Sequence, residues 1–92
     1  MYVIVYRLSA EPTQVEVADG ATVQQMFDTP GSGKAFGDQF ENVSLTEAVA
    51  QSFAVGLAAI KSITVNGAPA TLDTVLIPGS LIVITPKVEG GL

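Results

Sequence analysis

Two short runs of apolar and β-branched residues, one near each end of the chain, constrain the fold more than any other feature. The first covers Tyr2 to Leu8 and the second covers Leu81 to Ile84. A short unbroken apolar run indicates an interior strand with both faces covered. Two such strands are expected to be neighbours, and a parallel pairing requires the chain between them to cross over. The segment 44–60 supplies a helix for that crossover, which predicts a mixed sheet with its helices on one face.

The chain between these strands carries further strand, turn and helix signals. Residues 13–17 alternate in polarity, as the second arm of a hairpin does. Thr22 and Gln25 form a capping box, which predicts a short helix that ends before Pro30. Near the last strand, Asn66-Gly67 is a strong signal for a tight turn after a strand at 62–65. We therefore expect four or five strands, one main helix and one short extra helix.

The main helix is predicted from a second capping box and from its apolar spacing. Ser44 and Glu47 form the box, and one apolar residue recurs every three or four positions after it. This spacing predicts a buried stripe over about four turns, which is core rather than a cofactor site: Leu45, Val49, Phe53, Leu57 and Ile60. Gly56 inside the helix costs up to about 1 kcal/mol relative to alanine, so a close backbone contact is expected there.

Between the helices, residues 30–43 are rich in glycine. The sequence 31–34, Gly-Ser-Gly-Lys, resembles part of a phosphate-binding loop, but the upstream glycine of that motif is missing. Ala35 also stands where a Ser or Thr would bind magnesium. We therefore interpret the segment as a flexible surface loop. Phe36 and Phe40 are expected to pack into the core, with a partner-binding patch as the alternative.

The composition excludes several classes of function. The 92 residues include no cysteine and no histidine, so thiolate chemistry, metal sites and the common acid–base schemes lack their usual residues. We predict a protein that is not an enzyme and that binds no metal or cofactor of its own. Nine acidic residues against four basic ones give a net charge of −5, which argues against nucleic-acid binding. No apolar run approaches the roughly 20 residues of a membrane span, and a cytoplasmic protein is expected.

The last residues suggest a function. Thr85-Pro86-Lys87-Val88-Glu89 is followed by Gly90, Gly91 and Leu92. Paired glycines at this place offer a thin and flexible peptide, because no Cβ restricts the backbone. Such a tail can pass through a narrow channel of an enzyme that uses the carboxylate as the reacting group. The alternative is a frayed terminus without a role.

The C-terminal third resembles ThiS/MoaD-type β-grasp proteins, the ubiquitin-like sulfur carriers. The similarity lies in Val65-Asn66-Gly67, the Pro78-Gly79 turn, the last apolar strand and the exit Pro86-Lys87-Val88-Glu89-Gly90-Gly91. It covers about thirty residues, and the first twenty match in strand pattern only. The resemblance implies an α+β, ubiquitin-like β-grasp domain over residues 1–88, with a diglycine tail at 89–92.

The same resemblance implies what the tail does. Gly91 would be the reacting end and Gly90 its slim neighbour, while Leu92 would be removed by a tail-processing protease. The partner would be an E1-like adenylating enzyme that supplies ATP and magnesium. Docking would use the exposed sheet face and the tail, with Ile82 or Ile84 together with Val88 as apolar contacts. Core packing explains these isoleucines equally well.

Three departures and two alternatives accompany this resemblance. Ser80 replaces the usual turn aspartate, the segment from Pro30 to Ser44 lengthens the middle, and Leu92 follows the diglycine.

The β-grasp domain of lambda-like phage tail-assembly proteins has a similar turn, strand and exit, which implies a virion assembly subunit. A stand-alone β-grasp binding module is the third interpretation. The carrier interpretation predicts a changed terminus and transient complexes, whereas the others predict an intact chain.

Overall fold

A five-stranded mixed sheet forms the centre of the computed structural model, which describes residues 1–7, 11–53 and 55–86. Two α-helices and three 3-10 helices accompany the sheet. The strands are β1 (Tyr2–Arg7), β2 (Thr13–Glu16), β3 (Ile60–Val65), β4 (Ala68–Pro69) and β5 (Leu81–Pro86). The helices are α1 (Val23–Phe27) and α2 (Leu45–Ser52), with 3-10 helices at Ser32–Phe36, Asp38–Phe40 and Gly56–Ala59. The strand order is β2-β1-β5-β3-β4.

The first and last strands are parallel neighbours, as predicted. Val5 of β1 is aligned with Ile82 of β5, and Arg7 is aligned with Ile84. The hairpin partner β2 is antiparallel to β1, and β3 is antiparallel to β5. Because β1 and β5 are parallel, both strands end at the same edge of the sheet. Pro86, the last residue of β5, therefore lies at the same edge as Arg7, the last residue of β1.

Only one face of the central strands is buried, so the prediction of two covered faces is wrong. The helices cover the face that carries alternate residues of β1 and β5: Val3, Val5, Ile82 and Ile84, all with no exposed area. On the opposite face Tyr2 is 53% exposed, Ile4 37% and Leu81 36%. An apolar run of this kind is ambiguous, because it fits a strand with two covered faces as well as one whose open face is itself apolar.

The short helix α1 follows its prediction. The Thr22 hydroxyl accepts a hydrogen bond from the Gln25 N–H at 3.3 Å, and the Gln25 side chain accepts one from the Thr22 N–H at 2.9 Å. These two bonds complete the capping box and satisfy N–H groups that the first helical turn leaves free. The apolar side of the helix is buried in the core: Val23, Met26 and Phe27.

The main helix is shorter than the predicted four turns. It begins at the predicted N-cap, with the Ser44 hydroxyl accepting from the Glu47 N–H at 3.2 Å, and it ends at Ser52. Only this half of the predicted capping box forms among the described residues, because the Glu47 side chain does not accept from the Ser44 N–H. Phe53 is extended, and its ring meets that of Phe36 edge-on with centroids 6.0 Å apart. Gly56 has a φ of +60°, and a Cβ added there would meet nothing within 4 Å. The close contact predicted at Gly56 is therefore wrong, and this glycine provides the left-handed conformation for the turn toward β3.

The first half of the glycine-rich segment packs into the core, whereas most of residues 38–42 are exposed. Ser32 and Gly33 are buried, and the Phe36 side chain is only 4% exposed, which confirms its predicted packing. The Ser32 hydroxyl donates to the Thr29 carbonyl at 2.7 Å and accepts from the Leu45 N–H at 2.8 Å. These bonds tie the segment to the first residue of α2. A hydroxyl with both bonds made can be buried without the cost of an unsatisfied polar group.

Two turns lie next to the start of β5. The second of them explains why a serine can replace the usual aspartate at position 80. Asn66 and Gly67 form the predicted turn with φ of 53° and 85°. Ser80 is 1% exposed, and its hydroxyl donates to the Ile77 carbonyl at 2.7 Å and accepts from the Ile77 N–H at 3.0 Å. An aspartate at this buried position could accept but not donate while ionised. Nearby, Leu76 is buried, whereas Val75 is 60% exposed and does not join the core.

Candidate functional site

The site is the edge of the sheet where the tail begins. Strand β5 ends at Pro86, which is aligned with Ile60 of β3, while Arg7 marks the end of β1 on the other side. The predicted reacting and contact residues of the tail lie outside the described residues: Val88, Gly90, Gly91 and Leu92. The domain boundary at residue 88 lies there too and stays a prediction. What the structure fixes is the strand from which the tail departs and the surfaces on either side of it.

The two isoleucines predicted to contact a partner point into the core. Ile82 and Ile84 have no exposed area and belong to the buried cluster under the helices. Their neighbours on the strand, Leu81 and Val83, face the other way because successive side chains alternate across a sheet. A partner cannot touch Ile82 or Ile84 while the domain is folded. On β5, Leu81 and Val83 are therefore the apolar side chains on the face opposite the core.

These residues belong to an uncovered surface, the outer face, which is defined by Tyr2, Ile4, Tyr6, Leu81 and Val83. The register aligns Ile4 with Leu81 and Tyr6 with Val83, so the five side chains lie together on the side without helices. Polar residues flank them on the neighbouring strands: Gln14 and Glu16 on β2, and Thr64 on β3. Among the described residues that these pairings place on the outer face, only Glu16 is charged. The centre of the outer face is thus apolar and uncharged.

Sequence reasoning expected an exposed sheet face but did not identify its residues, although a signal for them was present. Tyr2 and Tyr6 occupy alternate-face positions on β1, and tyrosine has an apolar ring with a polar tip. Two tyrosines on one face of an otherwise aliphatic strand favour a surface that is partly in contact with water. The buried positions between them hold only valine. The alternation of tyrosine and valine along β1 therefore distinguishes its two faces once odd and even positions are considered separately.

Over the parts of the chain that the structure describes, no group of three metal-ligating side chains is close enough to hold an ion. No helix within those same ranges has the length and apolar character needed to cross a membrane. What the described residues offer here is an apolar sheet face on β1 and β5, the two strands that end at Arg7 and Pro86.

The topology and packing together define the class of fold. A mixed five-stranded sheet, with its first and last strands parallel at the centre and its helices on one side, is the ubiquitin-like β-grasp fold. This agrees with the fold class predicted from the sequence.

Comparison with solved structures gives the same result. The chain is similar to SAMP1 from Haloferax volcanii, with a TM-score of 0.65 and 19% sequence identity, over 99% of this chain and 100% of that one. At this identity the likeness establishes the shared fold. No protein-family model matches the sequence, and no curated protein matches it.

Proposed function

We propose that this protein is a ubiquitin-like carrier or protein modifier whose Gly91 carboxylate is activated by adenylation on a partner enzyme after Leu92 has been removed. The observation that carries the proposal is the position of the diglycine. Gly90-Gly91 follows, after only three residues, the central strand β5 of a β-grasp sheet. The fold shared with SAMP1, a ubiquitin-like β-grasp protein, supports the same class.

The tail has the reach that this role needs. Gly91 lies five positions beyond Pro86, and an extended chain spans at most about 3.3–3.6 Å per residue, or roughly 17 Å in all. This is enough to place the reacting carboxylate well inside a partner while the domain stays outside. The two glycines limit the width of the peptide at its end. A leucine at the end would add a branched side chain where the channel is narrowest, which is why its removal is part of the proposal.

The chemistry then belongs to the partner. The Gly91 carboxylate attacks the α-phosphorus of ATP, pyrophosphate leaves, and an acyl-adenylate forms. A sulfur or amine nucleophile displaces AMP from this acyl-adenylate and leaves a thiocarboxylate or an amide on Gly91. The partner holds ATP and magnesium, and this chain contributes no catalytic residue. The reaction needs a cytoplasmic E1-like enzyme and a protease that exposes Gly91.

The outer face supplies the docking surface for that partner. Its centre is apolar, carries two tyrosines and lies on the two strands that end at the tail exit. Aromatic residues are enriched and most charged residues depleted at the cores of protein interfaces. A partner that receives the tail is held next to β5, so the exposed side chains of β5 and β1 are the nearest apolar anchors.

Replacing Leu81 with glutamine tests this docking. The assay contains a chain that ends at Gly91, ATP and the adenylating enzyme of its host. We expect the chain concentration that gives half-maximal pyrophosphate release to rise about tenfold, which is equivalent to about 1.4 kcal/mol of binding free energy. Pyrophosphate release is the measurement. Ile77→Gln is the matched control, because Ile77 is 61% exposed and lies outside the sheet. Equal effects of the two variants would contradict docking by the outer face, and no ATP-dependent reaction of the unaltered chain would contradict the carrier role.

A further inference from the structure

A cavity of about 170 Å³ lies beside strand β3, on the side of the sheet that carries the helices. Its inner wall includes Phe27 of α1, which has no exposed area. Four further apolar residues line it and pack against the main core: Leu57, Ile60, Ile63 and Leu72. The cavity therefore continues the hydrophobic core to the surface, and it is separate from the outer face.

The first half of β3 has a neighbouring strand on one side only. Strand β5 is paired with β3 over its length, whereas β4 is aligned only with Thr64 and Val65. Within the described ranges, residues 60–62 have no strand beside them on the β4 side, and no backbone hydrogen bond outside the sheet involves Lys61 or Ser62. A strand edge of this kind leaves N–H and C=O groups available for pairing with another chain.

The space beside residues 60–62 exists because the chain leaves the sheet after β4. The Ala70 N–H donates to the Ile63 carbonyl at 2.9 Å, and the Leu72 carbonyl then accepts from the Gln24 N–H at 3.0 Å. Leu72 is thus held against α1 instead of beside β3. Ala70 and Leu72 also line the cavity, so the place in the sheet that β4 does not fill lies next to an apolar opening.

The free edge and the cavity together define the shape of a ligand. An extended peptide that adds a strand to a sheet gains main-chain hydrogen bonds, and its alternate side chains enter pockets beside the edge. An apolar cavity of about 150 Å³ takes up benzene, so the cavity of about 170 Å³ has room for the ring of one phenylalanine. Such a ring can meet Phe27 edge-on, as aromatic pairs prefer.

Lys61 gives the ligand a preferred charge. It is exposed, and it is the only charged residue in the lining, which is therefore positive although the chain as a whole is acidic. A carboxylate next to the inserted phenylalanine is attracted to this lysine. A second copy of the chain fits less well, because symmetric pairing along residues 60–62 brings the two copies' lysines together. Like charges on paired strands are destabilising.

We propose that the edge of β3 at residues 60–62 binds an extended acidic peptide of a partner protein, which adds a strand to the sheet and inserts a phenylalanine into the neighbouring cavity. A carboxylate beside that phenylalanine pairs with Lys61. This inference goes beyond the carrier function and does not depend on it, since the edge and the cavity are separate from the tail and from the outer face. The site gives the domain a means of recognising another protein without a chemical reaction.

The test uses the whole chain and the blocked peptide Val-Glu-Phe-Glu-Val in NMR titrations. The peptide is expected to shift the amide signals of Lys61 and Ser62 and the ring signals of Phe27 in a saturable way. Replacing its phenylalanine with alanine is expected to weaken binding about 30-fold, as loss of an interface hot spot does. Methylation of its backbone nitrogens is expected to abolish binding, because the methylated peptide has no N–H groups to donate to the sheet.

A charge reversal on the protein completes the test. Lys61→Glu is expected to weaken binding of the acidic peptide about fivefold, on the scale of an exposed ion pair. Lys34→Glu is the matched control, because Lys34 is also exposed but does not line the cavity.

The proposal is overturned if no saturable shift occurs, or if the alanine or methylated peptide binds as well as the original. Shifts of the same amide signals with protein concentration alone would assign the edge to a second copy and would overturn it too. Failure of the pyrophosphate assay would reject the carrier function and leave peptide binding unchanged, because this binding needs neither ATP nor an adenylating enzyme.

Discussion

Replacing Gly33 with alanine is expected to lower the free energy of unfolding by about 3 kcal/mol, the upper end of the range for overpacking a core. A Cβ at this position would lie 2.7 Å from the Phe40 carbonyl oxygen, 2.8 Å from that of Val43 and 3.0 Å from that of Ser44. All three are backbone atoms, so no side chain can rotate away to relieve the contact. The Gly33 N–H also donates to the Val43 carbonyl at 3.0 Å, and a shift would weaken that bond.

Urea unfolding measures this effect, and Gly20→Ala is its matched control. Gly20 has a φ of +79°, and a Cβ there would meet nothing within 4 Å, so alanine adds backbone strain without a clash. A residue other than glycine in the left-handed region costs about 1–2 kcal/mol. A Gly33 variant that is more stable than the Gly20 variant would show that the segment yields easily and is not the packed element described above.

Replacing Gly91 with valine is expected to reduce activation by about 100-fold or more, the scale on which small misplacements of a reacting group act. Valine is branched at Cβ, which widens the peptide at the point that must pass the channel and stiffens it. Gly91 follows the end of β5 by five positions, so the free energy of unfolding should not change. Pyrophosphate release with ATP and the host's adenylating enzyme measures the loss, and urea unfolding checks the fold.

The tail provides its own control for this experiment. Leu92→Ala alters the residue that is removed before activation, so the processed protein should react as the unaltered chain does. Normal activation of the Gly91 variant would end the carrier interpretation. Loss of activation in both variants would show that the removal of Leu92, rather than the activation of Gly91, is sensitive to these substitutions. A chain that already ends at position 91 separates the two steps, because it needs no protease.

The sequence predicted the frame of the fold because its strongest signals are local. The capping box of Thr22 and Gln25, the turn at Asn66-Gly67 and the apolar runs of β1 and β5 each act over a few residues. The parallel pairing followed from the two apolar runs and a crossover between them. These elements were sufficient to predict a mixed sheet with its helices on one face.

The errors arose where a tertiary contact overrides the local pattern. The apolar stripe continues through Phe53, but the helix stops there as the Phe53 ring packs against Phe36, a residue seventeen positions earlier. The segment 30–43 appeared flexible from its glycines, whereas Ser32 and Gly33 use their small size to approach the start of α2. Small residues permit mobility and close packing equally, and the sequence does not distinguish the two.

The sequence did not assign the two faces of β5. The resemblance implied docking by a sheet face with Ile82 or Ile84, while core packing explained these isoleucines equally well, and the structure places both in the core. A shift of one residue exchanges the two faces of a strand. Because Leu81 and Val83 are as apolar as their neighbours, hydrophobicity alone could not assign the faces, and the positions of Tyr2 and Tyr6 were needed.

The intact mass of the protein recovered from its host, together with sequencing of its C-terminal peptide, tests the central claim most directly. The account predicts loss of Leu92 and a Gly91 that is free, carries sulfur, or is joined by an amide bond to another protein. A chain that retains Leu92 unmodified under every growth condition would contradict it and would favour a structural role in an assembly.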